Sequence, residues 1–207
     1  MRTVTLVLAC CVCLTVGCQP QERASPALPA SEWAGLPQRL DQIQIIGTHN
    51  SYKLAIQPEL MDLMRTVHRD AASLDYQHIS ITDQLNLGLR GLEIDVYWDP
   101  EGGRYADPLG HRLLQAAGIE PWPIDESDAL AEPGFKVIHD ADFDFRTHHV
   151  RLRDTLAELR AWSEENPGHI PITVTMNTKQ GQTDVPGSVE PAAFDRDGLR
   201  RLDGVIG

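Results

Sequence analysis

The spacing of apolar positions changes along the chain, and each change marks an element. Residues 4–16, just after Arg2, form an apolar run broken only by threonine and cysteine. At about 13 residues it is shorter than the ~20 that a membrane-spanning helix needs. Its basic start and the small residues at its end predict a secretory signal. Through residues 19–37 the pattern disappears: Pro20, Pro26, Pro29 and Pro37 stand among polar residues, which predicts a tether. Beyond it, stretches of strand and helix spacing alternate. Residues 42–46 predict a short strand ending at Gly47. Residues 92–97 alternate strictly, with Glu93, Asp95 and Tyr97 on one face and Leu92, Ile94 and Val96 on the other. Residues 135–138 predict a third strand and residues 170–176, rich in β-branched side chains, a fourth.

Helical spacing falls between these strands. Leu60, Leu63, Met64 and Val67 share one face of a helix over residues 61–67, and Ile81, Leu85, Leu87 and Leu89 mark a short one over 80–89. The clearest helix covers 150–165, with an apolar stripe of Leu152, Leu156, Leu159 and Trp162 and a stop at Asn166-Pro167-Gly168. Residues 199–207 also read as helical. Residues 99–133, rich in Pro, Gly and acids, are longer than most loops of a compact domain and read as a functional or variable insertion.

Strands alternating with helices imply parallel pairing. His49 lies just past the first strand, Glu93 and Asp95 lie in the second, His139 ends the third and Asn177 ends the fourth. Polar residues recurring at the carboxyl ends of successive strands predict an α/β fold of the TIM-type (β/α) barrel kind. A doubly wound sheet would more often show a glycine-rich phosphate turn, and the sequence has none.

Charge narrows the partners. With 18 Lys plus Arg against 30 Asp plus Glu, the net charge is −12, which argues against nucleic acid. All four cysteines (Cys10, Cys11, Cys13 and Cys18) sit at or before the predicted cut, so the mature chain would hold no disulfide and no zinc–thiolate site. His49 and His139 could serve as general base and general acid, since imidazole titrates near neutral pH. Asn50, Glu93 and Asp95 are hard oxygen ligands suited to Ca²⁺ or Mg²⁺, and the set suits zinc less well. A divalent ion beside two imidazoles points to attack on a phosphate ester. The other histidines have plainer readings. His68, His78, His111 and His169 read as solvated, and His148 and His149 open a helix with no nearby acid. Asp140 reads as a turn or cap, and Arg90 as the structural partner of an acid.

The segments Gly47-Thr48-His49-Asn50-Ser51-Tyr52, Gln84-Leu85, Gly88-Leu89-Arg90-Gly91-Leu92-Glu93-Ile94-Asp95 and Val137-Ile138-His139-Asp140 together resemble the phosphatidylinositol-specific phospholipase C superfamily. The likeness is greatest to its calcium-dependent bacterial branch, and Asn166-Pro167-Gly168-His169-Ile170-Pro171 resembles that branch too. The resemblance runs over about residues 43–207. It implies that His49 contacts the phosphate and that His139 acts on the leaving group. It makes Asn50, Glu93 and Asp95 calcium ligands, with Glu93 also helping to deprotonate the inositol 2-hydroxyl. The products implied are a cyclic phosphodiester and diacylglycerol. Lys179, and secondarily Arg90, would meet the phosphate. One position departs: where the family usually carries Glu, this chain has Asn177, an amide oxygen without charge. Weaker calcium binding, or another substrate, follows from that.

Leu14-Thr15-Val16-Gly17-Cys18 resembles a bacterial lipobox, which implies lipidation of Cys18 and a lipoprotein anchored to a membrane after crossing the inner one. The expected organisation is a signal over 1–17, a tether over 18–40 and the catalytic fold over 41–207. An eight-unit barrel takes about 250 residues and only about four units are visible, so the expectation is the first half of a barrel, inactive or poorly folded alone. Two other functions stay open. One is a glycerophosphodiester phosphodiesterase, which usually opens with His-Arg-Gly where this chain has His49-Asn50-Ser51. The other is a surface lipoprotein that keeps the fold as a non-catalytic binding module. Oligomeric state leaves no mark in the sequence.

Overall fold

The computed structural model describes residues 41, 43–124 and 127–207. The expected signal over 1–17, the lipobox with Cys18, the tether and Gln42 lie outside the described residues. The alternating segment forms β1 (Gly91–Asp99) at the centre of an open three-stranded sheet of order β2-β1-β3. No closed barrel forms among the described residues.

β2 (Gly134–Val137) runs antiparallel to β1, against the expectation of parallel pairing, with Asp99 opposite Gly134 and Val96 opposite Val137. The reason lies at the end of β1. The Asp99 carboxylate accepts hydrogen bonds from the backbone N–H groups of Gly102 and Arg104 and turns the chain back. The long connection then returns to the end of β1 that it left. An antiparallel neighbour needs no crossover, whereas a parallel one does. β3 (Thr173–Lys179) is reached through a helix and is parallel to β1, pairing Glu93 with Thr175, Asp95 with Asn177 and Tyr97 with Lys179.

The strand expected over residues 42–46 does not form among the described residues. Instead Ile46 O accepts from the N–H groups of Arg90 and Gly91, and Gly47 makes a single parallel bridge to Gly91. A Cβ on Gly47 would sit 2.7 Å from Gly91 O, so only glycine permits that approach. Past the bridge, Thr48 N–H still bonds Gly91 O and Ser51 N–H bonds Glu93 O, but the residues between bulge outward.

α1 (Pro58–Val67) opens on a proline, which lacks the N–H that an N-terminus leaves unpaired anyway, and buries Leu60, Met61 and Met64. A 3₁₀ turn (Ala71–Leu74) follows. α2 (Ile81–Asn86) is capped by the Ser80 side chain, which accepts from Asp83 N–H. α3 (Leu109–Ala116) lies inside the stretch expected to be a loop. It is held by Asp142, whose carboxylate accepts from the N–H groups of Leu109 and Val189. α4 (Leu152–Glu165) buries Leu152, Leu159 and Trp162, with Leu156 partly buried beside them. Together with α5 (Arg196–Ile206) it covers the apolar face of β1. Gly198 lets α5 touch Trp98, since a Cβ there would lie 2.7 Å from that ring. Among the described residues no helix is long and apolar enough to cross a membrane.

Candidate active site

With the apolar face of β1 turned to the helices, alternation sends Glu93 and Asp95 to the other side. The register places Thr175, Asn177 and Lys179 of β3 beside them. Lys179 Nζ lies 3.2 Å from Asp95 Oδ2. Asp95 is 2% exposed, and its Oδ1 is buried without a hydrogen-bond partner.

The loop carrying His49 is anchored from beneath. Thr48 Oγ1 donates to Gln84 Oε1 at 2.6 Å, and Gln84 Nε2 donates to Ser51 O at 2.7 Å. Ser51 Oγ accepts from Glu93 N–H at 2.9 Å. Asn50 takes φ 50°, a left-handed conformation that Asn tolerates better than most residues. Its N–H reaches Glu93 Oε2 at 3.2 Å and its Nδ2 donates to Tyr76 Oη at 2.8 Å. His49 is thereby pushed outward, three quarters of its side chain exposed, with Nε2 3.4 Å from Glu93 Oε2 and Nδ1 3.3 Å from Tyr76 Oη. His78 Nε2 donates to His49 O at 2.8 Å. Tyr52 is buried beneath, its hydroxyl 3.4 Å from Asn50 Oδ1. Burial and then the neighbouring Asp95 carboxylate push the Tyr52 phenol far above its ordinary range. Burial also raises Tyr76.

His139 is held differently. Its Nδ1 lies 2.8 Å from Oδ2 of Asp144, whose side chain is fully buried. A carboxylate accepts here, so Nδ1 carries the proton and Nε2 is the nitrogen left to face the cleft. Asp140 behaves as the expected turn: Oδ1 accepts from the N–H groups of Asp142 and Phe143, and Oδ2 from the Thr183 hydroxyl. A cleft of about 510 Å³ is lined by Tyr97, His139, Asp140, Lys179, Gln182 and Thr183 among others.

His49, Asn50 and Glu93 are therefore in mutual contact, and Asp95, Asn177 and Lys179 extend the same sheet face, with His139 and Lys179 sharing the cleft. Arg90 goes elsewhere. Its Nη1 donates to the carbonyls of Leu85 and Leu89, and its guanidinium lies 4.7 Å from the Trp162 ring centroid. Burial pulls its pKa down from the usual range. The expectation that His149 lacks an acid is corrected: Glu158, one to two turns along α4, lies 3.0 Å from His149 Nε2. That bond raises the imidazole pKa. Burial alone would raise Glu158, but hydrogen bonds from His149 and Thr82 outweigh it and hold the carboxyl at about 2.

Sequence reasoning passed over Lys53, Tyr76 and Asp144. Lys53 adjoins the Asn50-Ser51-Tyr52 motif and Asp144 lies five residues past His139, so proximity to the motifs was the available signal. Among the described residues no three His, Cys, Asp or Glu side chains converge as a metal cluster. The oxygen set implied for calcium relies instead on two carboxylates, Glu93 and Asp95, and two amides, Asn50 and Asn177. The unpartnered, buried Asp95 Oδ1 and the lightly held Asn50 Oδ1 fit a hard divalent cation such as Ca²⁺ or Mg²⁺.

The family described as phosphoinositide phospholipase C, Ca²⁺-dependent, matches residues 38–207. No curated protein matches the chain. Two solved structures are similar, both of a calcium-dependent phosphoinositol-specific phospholipase C from the Gram-negative bacterium Pseudomonas sp. The apo form is 19% identical with a TM-score of 0.34, and the myo-inositol complex 20% identical with a TM-score of 0.33. Each likeness covers 77% of this chain and 40% of the solved one, so the chain spans well under half the length of those structures.

Proposed function

The chain belongs to the calcium-dependent phosphoinositide phospholipase C family, and from that premise we propose that it is a phosphoric diester hydrolase acting on phosphatidylinositol-type lipids. The observation that supports this reading most is the placing of two imidazoles on the carboxylate-bearing side of one sheet, one beside Glu93 and one backed by Asp144.

In the proposed reaction the phosphate lies between His49 and the cleft holding His139 and Lys179. Glu93 accepts the proton of the inositol 2-hydroxyl as that oxygen forms its bond to phosphorus. His49 hydrogen-bonds a phosphoryl oxygen as negative charge gathers there, and the Lys179 ammonium offsets part of that charge. The bond from phosphorus to the diacylglycerol oxygen breaks, and protonated His139 gives its Nε2 proton to the departing oxygen while Asp144 holds Nδ1. The products are a cyclic phosphodiester and diacylglycerol. A calcium ion, when held by Asn50, Glu93, Asp95 and Asn177, supplies positive charge to the phosphoryl oxygens. Arg90, committed to carbonyls and Trp162, takes no part.

On the same reading the fold is the first half of a TIM-type barrel. The outer edge of β3, unpaired among the described residues, receives the strands that close it. Lipidated Cys18 tethers the enzyme at the membrane that holds its substrate.

The test is phosphodiesterase turnover on phosphatidylinositol vesicles, with and without chelator. It compares the 207-residue chain with a form extended by closing strands, each beside its His49→Ala variant. Chelator-sensitive turnover by the extended form, lost in His49→Ala, is the expected result. Equal turnover by the His49→Ala variant contradicts the mechanism.

A further inference from the structure

Lys53 is 0% exposed, and so is the side chain of Asp144, 3.0 Å from its ammonium. The other contacts of Nζ are Tyr76 O at 3.0 Å, Leu54 O at 3.4 Å and the face of the Tyr76 ring, whose centroid is 4.8 Å away. The ammonium thus makes two hydrogen bonds to backbone carbonyls and faces Asp144 Oδ1 as an ion pair, without a hydrogen bond to that oxygen.

We propose that Lys53 is a positioning residue that sets both imidazoles of the site from one buried charge. This rests on the proposed roles of His49 and His139. Toward His139, the ammonium faces Asp144 Oδ1 as a counter-charge without a hydrogen bond to it, and so fixes the carboxylate with Oδ2 toward the ring, where Oδ2 accepts the Nδ1 proton. Toward His49, the ammonium holds the Tyr76 backbone and ring, and the Tyr76 hydroxyl meets His49 Nδ1 and Asn50 Nδ2. Backbone bonds reinforce this second arm: Lys53 O accepts from His78 N–H, and the His78 ring donates to His49 O. A buried ion pair is often replaceable by apolar residues of similar volume without loss of stability. Folding alone therefore does not account for placing one here, whereas orientation of two proton-handling rings does. Lys53 touches no reacting atom in this scheme.

The test reads ring tautomers by ¹⁵N NMR at a pH where the imidazoles are neutral, so it is independent of turnover and of the substrate assignment. In the unchanged chain, His139 is expected as a single tautomer with the proton on Nδ1, and the Lys53 ammonium protons are expected to exchange slowly and show contacts to the Tyr76 ring. In Asp144→Asn, only the amide oxygen can face the ammonium, so the amide NH₂ turns to His139 and the tautomer inverts to Nε2–H. In Lys53→Met, the carboxylate still accepts and the proton stays on Nδ1, but the ring is held less firmly: the Nδ1 proton exchanges faster with solvent and the Tyr76 and His49 signals shift with it. The paired variant Lys53→Met/Asp144→Asn removes both buried charges and serves where a single variant does not fold; its His139 is expected as a mixture. A folded Lys53→Met variant with the exchange of the His139 Nδ1 proton and the Tyr76 signals unchanged overturns the proposal, and so does a folded paired variant with the Tyr76 and His49 signals unchanged. So does a rapidly exchanging Lys53 ammonium in the unchanged chain.

Discussion

His49 shows three quarters of its side chain to solvent, and its ring contacts are long, 3.4 Å to Glu93 and 3.3 Å to Tyr76. His139 shows a fifth of its side chain and is fastened at 2.8 Å to a carboxylate that is itself fully buried against Lys53. The difference follows from what carries each ring. His49 sits on a bulge whose backbone is fixed but whose side chain is held only by those two long contacts. His139 sits where the chain turns over a buried charge pair. On the proposed reaction the contrast has a use: a group that follows a phosphate as its geometry changes needs slack, and a group that delivers a proton along one line needs a fixed tautomer.

The largest effects should come from removing either ring. His139→Ala and His49→Ala in the barrel-closed form are each expected to lower kcat on phosphatidylinositol vesicles by about 10²–10⁴-fold, with the locked residue losing more. Asp144→Ala comes next. It leaves Lys53 buried without its counter-charge, which costs about 3–5 kcal/mol of stability. Tyr76→Phe, on the looser side, loses only hydrogen bonds worth about 0.5–1.5 kcal/mol. Urea denaturation of the two variants measures the gap, and a larger loss for Tyr76→Phe would erase the contrast. Gly198→Ala forces a methyl against Trp98 and should cost about 1–3 kcal/mol by overpacking. Far from both rings, it should leave the His139 tautomer as it was, which separates general loosening from local change.

The smallest effect concerns a third imidazole, His149, paired with Glu158 but outside the site. Its raised pKa means that its contribution to stability is complete below the unfolded value of about 6.5 and fades as pH rises through the folded one. Glu158, held at about 2, contributes above the unfolded value of about 4.3 and fades as pH falls toward 2. The pair should help most between those two unfolded values. Thermal melts across pH should show that window, and Glu158→Gln should flatten it.

Much of this was legible in the chain. The alternation of residues 92–97 defined β1 and put Glu93 and Asp95 on the face opposite Leu92, Ile94 and Val96, and the apolar stripe of α4 packs where its spacing placed it. His49 and His139 stood out because their neighbours form recognisable motifs. The direction of β2 was not legible, because it depends on Asp99 turning the chain through its side chain. α3 was hidden by its flanks of Pro, Gly and acids. Lys53 and Asp144 were hidden for another reason: each reads as an ordinary surface charge until a distant segment buries one against the other. Pairings of that kind have no local period for a sequence to reveal.

The most direct measurement is ³¹P NMR of phosphatidylinositol turnover by the barrel-closed form beside its His49→Ala and His139→Ala variants. A cyclic phosphodiester appearing first, and missing from both variants, is the predicted result. An acyclic phosphate formed first, or a cyclic product that persists in either variant, would contradict the paired-imidazole account.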